Sequence, residues 1–397
     1  MLNVESLSER NENQRLEIAK KRHQFIIRGT IAAVIVILIL AAFLVYRMCS
    51  SNTFHSYKVI RSIKRSDSSS AVYQEYSGKL LKYSRDGALG YDTDLHKNWS
   101  GSYNFSSPLM DTCGEYVALA DSGGKEIYVF DGKDSPVQIN VLHPISLIQV
   151  ASQGVVAVVM ENDDSDMVQL YDSENSNKLL VEFSTNVDED GYPVDISLSD
   201  DGSKLVTSYL SVANGVTTTK LTFYNLGEIG KNYSNKIVGS ESFEQEIVSK
   251  VQFLGNDTVC AFGENGFTLY SMKQLVDTIK TVKIKTPLKS IFCTEENIGL
   301  VCKDSDKTNK NEVLLYDLKG KRIMSSSLDF AYTNVYMTDD QIFFLSSQEC
   351  HIMRTNGTLK FSGTFSRQIS YLMPVNSFNK YILVDKDRIS LIRITEG

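Results

Sequence analysis

A chain of 397 residues with 42% hydrophobic and 22% charged side chains can bury a large core, which excludes a wholly disordered protein. Tyr (20) and Phe (18) are plentiful and Pro (6) is scarce, a balance that favours β-strands. The formal net charge is −7; since residues 1–28 carry +2 and residues 47–65 carry +5, residues 66–397 carry −14. So acidic a region does not suit nucleic-acid binding, which depends on neutralising phosphates with Lys and Arg.

The N-terminal region predicts a polar tail, residues 1–28, followed by a membrane span. Residues 29–46 contain no charge, and as a helix they would be roughly 27 Å long, about the thickness of the hydrocarbon core of a bilayer. We therefore predict a transmembrane helix over residues 29–46, with the lipid bilayer as its partner. A buried core helix fits less well because the segment is apolar on every face. A cleaved signal peptide also fits less well, because no small-x-small cleavage site follows.

Basic residues set the predicted orientation of this span. Four of them lie in residues 20–28, just before it, whereas Arg47 alone follows it closely. Because the flank richer in Lys and Arg stays inside, we expect a cytoplasmic N-terminus and a large extracytoplasmic domain at the cell membrane. Residues 47–65 form a basic linker, which also contains a strand-like run.

One pattern recurs from residue 70 to the end. A β-rich run and a polar turn are followed by a second strand with a large anchor residue near its end. The anchors are Tyr83, Phe130, Tyr171, Tyr224, Tyr270, Tyr316, Met353 and Ile392. Their mean spacing of about 44 residues is the length of a four-stranded propeller blade. We predict an all-β fold, a β-propeller over residues 66–397, with eight blades favoured over seven; the alternative is a two-domain β-sandwich assembly.

The strand before each anchor is a run of about five β-branched or aromatic residues, of the kind that lies buried between blades. These runs are residues 116–120, 155–159, 204–208, 258–262, 298–302 and 341–345. Asp131-Gly132, Asp201-Gly202, Asn265-Gly266 and Asn356-Gly357 predict tight hairpins. Residues 227–236 and 272–280 predict insertions or short helices at blade edges.

Two segments resemble known propeller families. Leu198-Ser-Asp-Asp-Gly-Ser-Lys-Leu-Val206 resembles the Ser-Pro-Asp-Gly-x-x-Leu/Val blade motif of TolB-like and WD40-like propellers, with Asp200 in place of Pro. Val313-Leu-Leu-Tyr-Asp-Leu-Lys-Gly-Lys321 is similar to the strand and turn of quinoprotein-type propellers. The whole layout resembles an uncharacterised bacterial single-pass membrane family, a domain of unknown function with an extracytoplasmic propeller. This resemblance implies a fold and no activity.

The ends of the repeat region suggest how the ring closes. The last strand, residues 388–394, leaves the final repeat without its outermost strand. Residues 56–63 form a strand-like run before the first clear repeat. Because an open ring leaves unpaired strand edges, we expect this run to complete the final blade beside residues 388–394. The alternative is that residues 54–66 are a free tether.

No catalytic or metal-binding motif is found. The five histidines, His23, His55, His96, His143 and His351, show no metal-ligand spacing, and nucleophile, P-loop and dinucleotide motifs are absent from the sequence. The acidic loops 161–166, 188–190 and 304–306 lack the full set of calcium ligands and indicate solvated hairpin tips. A disulfide between Cys293 and Cys302, which flank a predicted hairpin, stays open. We predict no catalytic, cofactor-binding or metal-binding residue and no cofactor.

Two functions remain. The first is a membrane-anchored binding or scaffolding module for a protein or cell-envelope ligand. The alternative is a membrane-anchored enzyme or cofactor-binding protein with its site in the central channel. Quinone-dependent propeller enzymes use several Trp residues and this chain has one, Trp99, so we predict no enzymatic activity. Ionisable side chains converging at a channel mouth would favour the alternative, and an exposed hydrophobic patch on a rim would favour the first.

Overall fold

The computed structural model describes residues 23, 25, 27–40, 52–65, 71–162, 165–175, 177–186, 190–303, 310–338, 340–375 and 379–396. Two compact units are distinguished, Met1–Thr53 and Phe54–Gly397. In the first unit residues 27–40 are helical and exposed. Over the ranges given above, no helix is both long enough and apolar enough to cross a bilayer. Residues 41–46 of the predicted span lie outside the described residues.

The second unit is built from eight antiparallel sheets of four strands each, counted over the described residues. Blade 1 contains β2 (Val72–Tyr76), β3 (Lys79–Ser84), β4 (Gly87–Tyr91) and β5 (Lys97–Ser102); blade 2 contains β6 (Pro108–Cys113), β7 (Tyr116–Asp121), β8 (Glu126–Phe130) and β9 (Val137–Asn140); blade 3 contains β10 (Ile145–Val150), β11 (Val155–Asn162), β12 (Ser165–Asp172) and β13 (Lys178–Asn186); blade 4 contains β14 (Tyr192–Leu198), β15 (Lys204–Ala213), β16 (Val216–Asn225) and β17 (Ile237–Glu244). Blade 5 contains β18 (Val248–Leu254), β19 (Thr258–Gly263), β20 (Gly266–Ser271) and β21 (Asp277–Lys283); blade 6 contains β22 (Leu288–Cys293), β23 (Asn297–Lys303), β24 (Asn311–Asp317) and β25 (Arg322–Leu328); blade 7 contains β26 (Asn334–Met337), β27 (Gln341–Leu345), β28 (Glu349–Arg354) and β29 (Leu359–Thr364); blade 8 contains β30 (Ile369–Pro374), β31 (Lys380–Asp385), β32 (Arg388–Thr395) and β1 (Ser56–Lys64). Two 3-10 helices, Gly230–Asn232 and Ser234–Lys236, precede β17.

These sheets are the blades of an eight-bladed β-propeller. First strands of neighbouring blades contact one another, for example in blades 2 to 5, so the first strands line the central channel and the fourth strands lie at the circumference. The predicted fold and the favoured blade number are confirmed, and the β-sandwich alternative is wrong. We call the ring face with the turns between second and third strands the upper face, which also holds the connections between blades. The opposite face is the lower face.

The second strand of each blade is buried on both sides. In β11, Val156 and Val158 pack against blade 2, whereas Ala157 and Val159 pack against blade 4. Because side chains alternate between the two faces of a strand, burial of both faces gives a continuous apolar run. The six runs predicted to be buried are all second strands.

The hydrophobic core is divided among the interfaces between blades. The buried apolar residues of the described chain form eight clusters, one for each pair of neighbouring blades. One of these clusters joins blade 8 to blade 1, with Tyr73 and Leu80 packed near Met373 and Ile382. Burial of apolar surface therefore closes the ring at this interface too.

The ring is also closed by strand pairing. β1 pairs antiparallel with β32 along its whole length, from Ser56 opposite Thr395 to Lys64 opposite Arg388. The expected closure is confirmed and the free-tether alternative is wrong for this strand. The compact unit begins at Phe54, so the propeller includes part of the segment interpreted as a linker. Blade 8 keeps four strands because its outermost strand comes from the other end of the sequence.

A β-bulge marks the outer strands. In seven of the eight blades, as far as they are described, the fourth strand has one extra residue opposite the end of the third. In blade 8 this residue is Ile60, between the partners of Leu391 and Ile392. β1 therefore reproduces the local geometry of an ordinary outer strand, whose bulge increases the twist of the sheet.

Two sequence interpretations need correction, and the structure answers the open question of the disulfide. The anchors lie in the third strands of their blades, with one exception. Tyr83 lies in β3, the second strand of blade 1, and the bulge opposite β4 shows that Tyr91 of β4 holds the anchor position in this blade. Only residues 272–276 form an insertion, because β21 already begins at Asp277. Cys293 and Cys302 are free thiols: Cys302 pairs with Leu288, at the far end of β22 from Cys293, roughly 15 Å along the strand.

Candidate functional site

Polar side chains in the central channel fasten each inner strand to the next. The Asp111 Oδ2 atom of blade 2 accepts a hydrogen bond from the Val150 N–H of blade 3 at 2.7 Å. Asp195 Oδ2 of blade 4 accepts one from Val251 N–H of blade 5, also at 2.7 Å. Inner strands are sheet edges with unpaired N–H groups, so these side chains satisfy donors that no ladder can reach.

The channel carboxyl groups hold neighbouring blades in register. Burial raises the pKa of Asp111 to about 6, although the Val150 N–H and Lys250 oppose the shift. Burial also raises the pKa of Asp195, with Lys250 Nζ at 3.2 Å acting in the opposite direction. Each carboxylate already accepts a backbone hydrogen bond, so the arrangement explains blade registration without a substrate.

The channel thiols are poor nucleophiles. Burial raises the pKa of Cys113 to about 12, and the neighbouring Asp200 carboxylate raises it further. Burial raises the pKa of Cys293 to about 11. Since the thiolate is the reactive form, both groups are inert near neutral pH.

The structure brings two of the histidines to one residue. His351 Nε2 lies 3.1 Å from Ser362 Oγ, and His55 Nδ1 lies 3.1 Å from the Ser362 carbonyl oxygen. His351 and Ser362 are cross-strand partners in blade 7, and the Phe330 ring stacks on the imidazole at 4.0 Å. Burial lowers the pKa of His351. Among the described residues, no three His, Cys, Asp or Glu side chains are grouped to bind a metal.

Blade 4 projects above the ring. Its strands β15 and β16 have ten residues each, whereas β19 and β20 of blade 5 have six. Residues 204 and 225 pair at the lower end, so the four extra residues extend the hairpin by roughly 13 Å at the upper face. We call residues 210–219 the projecting hairpin.

Three large apolar side chains are exposed on the upper face of blade 4 and in the connection that leads to blade 3. Val212 on the projecting hairpin is 69% exposed, and Tyr192 at the start of β14 is 63% exposed. Leu142, in the connection from blade 2 to blade 3, is 77% exposed. Connections between blades and turns between second and third strands share the upper face, so all three residues lie on one rim. Tyr192 pairs with Leu210 at the base of the projecting hairpin, and exposed apolar residues that lie together are typical of protein-binding surfaces.

A polar cleft of about 430 Å³ lies between blades 3 and 4, within the size range of ligand pockets. Phe183 and Thr185 of β13 form one wall, and Lys220, Thr222 and Ser240 of blade 4 form the other. Phe183 and Thr185, like Lys220 and Thr222, are two residues apart along their strands, so they share the faces that meet between the two blades. Glu182 and Ser184 also line the cleft. We call this space the 3/4 cleft.

The floor of the 3/4 cleft is aromatic and its rim is charged. The rings of Phe183 and Tyr224 lie 4.5 Å apart, and the Tyr224 hydroxyl is 3.1 Å from that of Tyr209. At the rim Lys220 Nζ donates to Asp190 Oδ1 at 2.7 Å. Burial raises the pKa of Tyr224, so this phenol stays protonated.

A second cleft, of about 650 Å³, lies on the other side of blade 4. Its opening depends on two glycines, because Gly263 and Gly266 occupy the positions that Tyr209 and Lys220 hold in blade 4. At Gly266 φ is +140°, and a Cβ atom would lie 2.0 Å from the Val282 carbonyl oxygen. The residue must therefore be glycine, and the projecting hairpin stands between two clefts.

Sequence reasoning missed both the channel contacts and the clefts. Asp111 and Asp195 interrupt otherwise apolar inner strands, which is a signal that the sequence does contain. The cleft walls give no such signal, because Thr and Ser are ordinary in strands. No site residue was predicted from the sequence, so the clefts and the projecting hairpin come from the structure alone.

Comparison with known proteins gives the family. Residues 50–394 match the description "Family of unknown function (DUF5711)". The chain belongs to this family. The matched region of this DUF5711 chain includes β1, so the ring-closing strand lies within it. Among proteins with curated descriptions, none matches.

Solved structures share the fold of the DUF5711 chain at low identity. BamB from Moraxella catarrhalis is 12% identical with a TM-score of 0.51, covering 86% of this chain and 99% of that one. Sqt1 from Chaetomium thermophilum, solved bound to the N-terminus of the ribosomal protein L10, is 10% identical with a TM-score of 0.52, covering 86% and 100%. A eukaryotic initiation factor is 11% identical with a TM-score of 0.55, covering 87% and 89%. At such identities the likeness shows the propeller fold.

Proposed function

We propose that this chain is a membrane-anchored, extracytoplasmic propeller without catalytic activity, which binds a protein partner through the upper face of blades 3 to 5. The projecting hairpin carries the proposal, because it raises Val212 above the ring between two clefts. Exposed apolar residues beside a rigid projection can be buried by a partner without refolding the ring.

Three further observations support this proposal. The Asp111 and Asp195 carboxyl groups in the channel each accept a backbone hydrogen bond from the next blade, so their role in the ring needs no substrate. β1 begins at the lower face, where Ser56 pairs with Thr395. Among structures of the same fold, Sqt1 was solved with a bound protein segment. Membrane anchoring and location rest on the uncharged run of residues 29–46 and its basic flank.

Site-specific photocrosslinking in living cells tests this surface. A photoreactive amino acid at Tyr192 is expected to give a discrete protein adduct, and one at Lys319, exposed in a lower-face turn, is not. Val212→Asp places a charge in the contact and should reduce the Tyr192 adduct about tenfold, whereas Lys319→Glu should leave it unchanged. Equal adducts from both positions, or an adduct insensitive to Val212→Asp, would show that the upper face does not bind the partner.

A further inference from the structure

Asp166 points into the space between blades 3 and 4. It lies at the upper end of β12, where its cross-strand partner is Thr185, a residue that lines the 3/4 cleft. Two residues further along, Val168 belongs to the apolar cluster between the two blades. Cross-strand partners and residues two apart share one face of a sheet, so the Asp166 carboxyl faces blade 4 beside the cleft.

This carboxyl group is buried and only partly satisfied. Asp166 is 4% exposed, and its Oδ2 atom has no hydrogen-bond partner. Burial, together with the Glu161 carboxylate, raises the pKa of Asp166. Buried carboxylates in folded proteins are nearly always paired or hydrogen-bonded, so this unpaired oxygen can still accept a hydrogen bond from a donor that enters the space between the two blades.

The neighbouring groups leave this position to a cation. Lys220, the basic residue of the cleft lining, is already bound to Asp190 at 2.7 Å. The hydroxyl groups of Thr222 and Ser240 on the facing wall can accept further hydrogen bonds. An anion would meet the carboxylates of Glu182 and Asp190, which line the cleft, and that of Asp166 beside it. A sugar would need an open aromatic platform, whereas the rings of the floor are nearly covered.

We propose that the 3/4 cleft binds a cationic side chain, an Arg or a Lys of the partner protein, with Asp166 as the acceptor of its ion pair. This inference rests on the proposed protein-binding function. Arg suits the cleft best, since its planar guanidinium offers five N–H donors to a carboxylate and to hydroxyl oxygens placed around it.

Binding of a small probe tests the site without knowledge of the partner. The full chain in detergent micelles is titrated with n-butylguanidinium chloride and with n-butylurea, a neutral molecule of nearly the same shape, by isothermal titration calorimetry. Wild type is expected to bind the guanidinium at least ten times more tightly than the urea. Equal affinity for the two probes, or no detectable guanidinium binding, would overturn the proposal.

Variants locate the binding. Asp166→Asn should reduce guanidinium affinity to the level of the urea, whereas Asp111→Asn, which changes a carboxyl in the channel, should leave it within twofold. Ser240→Trp fills the cleft without changing Asp166 and should abolish binding of both probes. Ser240→Trp keeps the test valid if Asp166→Asn fails to fold. Thermal unfolding of each variant reveals whether it is folded. Guanidinium binding that survives Ser240→Trp would place the site elsewhere.

The two proposals can fail separately. If Val212→Asp abolishes the Tyr192 adduct while Asp166→Asn does not change guanidinium binding, the docking surface stands and the cation site is wrong. If guanidinium binding depends on Asp166 but the adduct ignores Val212→Asp, the cation site stands and the docking surface is wrong.

Discussion

The Asp111 carboxyl links two blades by a hydrogen bond, but its buried charge lowers the stability of the ring. Its carboxylate holds the Val150 N–H of the next blade, yet burial raises the pKa of the group to about 6. A carboxyl whose pKa is higher in the folded state than in the unfolded state binds its proton more tightly when folded. Its contribution to stability is therefore complete below about pH 4 and is lost as the pH rises through about 6.

Asp111→Asn is expected to remove this loss. The Asn Oδ1 atom can still accept the Val150 hydrogen bond, so above pH 6 the variant should be more stable than wild type. The gain is at most about 2–3 kcal/mol by linkage, and smaller because water in the channel screens the charge. Chemical denaturation at pH 4, 6 and 8 measures the difference. A variant less stable than wild type at pH 8 would mean that the charge itself, beside Lys250, holds the blades.

Also at the residue scale, one pair of positions decides the shape of each cleft. Tyr209 and Lys220 fill the upper end of blade 4 on the side of blade 3, and the equivalent positions in blade 5 are Gly263 and Gly266. Lys220 forms the ion pair at the rim of the 3/4 cleft and the Tyr209 hydroxyl is hydrogen-bonded to that of Tyr224, whereas the glycines widen the second cleft. A shared backbone position thus carries different chemistry in neighbouring blades.

Among the elements, β1 makes the largest contribution to closure. It supplies a full outer strand to blade 8, with Phe54 just before it packed between blades 7 and 8 and Ile63 near its end packed between blades 8 and 1. Tyr57 lies 4.7 Å from the Phe365 ring. Without this strand β32 would be a bare edge, the kind of edge that pairs with other chains.

Removal of β1 should therefore destabilise the propeller strongly. A chain that begins at Ser66 is expected to unfold about 10 °C or more below one that begins at Asn52. It loses a ladder of hydrogen bonds at about 1 kcal/mol each as well as buried side chains. The melting temperatures of the two purified proteins measure this, with Phe54→Ala in the longer protein as the control for lost packing alone. Equal melting temperatures would contradict closure by β1.

The molecule as a whole divides into a short N-terminal unit and a ring of eight interfaces between neighbouring blades. Every blade buries both faces of its second strand, so no blade has a complete core by itself. We expect unfolding of the ring to be cooperative for this reason, since opening one interface exposes apolar surface on two blades.

The orientation of the chain in the membrane is a prediction at the scale of the whole molecule. Protease added to intact cells or spheroplasts is expected to degrade residues 66–397 and to spare residues 1–28, because the basic flank lies before the uncharged run. Antibodies against the two regions detect the outcome, and permeabilised cells, in which both regions become accessible, are the control. Protection of the large domain in intact cells would reverse the proposed orientation.

Much of the fold could be predicted from the sequence because its causes are local. A second strand such as β11 is apolar throughout since both of its faces are buried, and such runs recur at blade spacing. The closing strand was predicted because the last repeat had three strands and residues 56–63 could supply a fourth. Where the local signal was ambiguous, as for Tyr83, the anchor was assigned one strand too early. Tyr83 and Tyr91 both lie about one repeat length before the next anchor, Phe130, so the spacing of the anchors did not distinguish them.

By itself, the sequence determined the eight blades, their order and the strand that closes the ring. Only the tertiary structure decided where a ligand can bind. Asp195 and Val251 are 56 residues apart, and Thr185 and Ser240 belong to different blades, yet each pair meets at one interface. Strand periodicity records which face of a strand is buried, but not which polar residue of the next blade lies opposite. That neighbour is fixed by the twist and register of two separate sheets, and the unpaired carboxyl oxygen of Asp166 becomes visible only when both are in place.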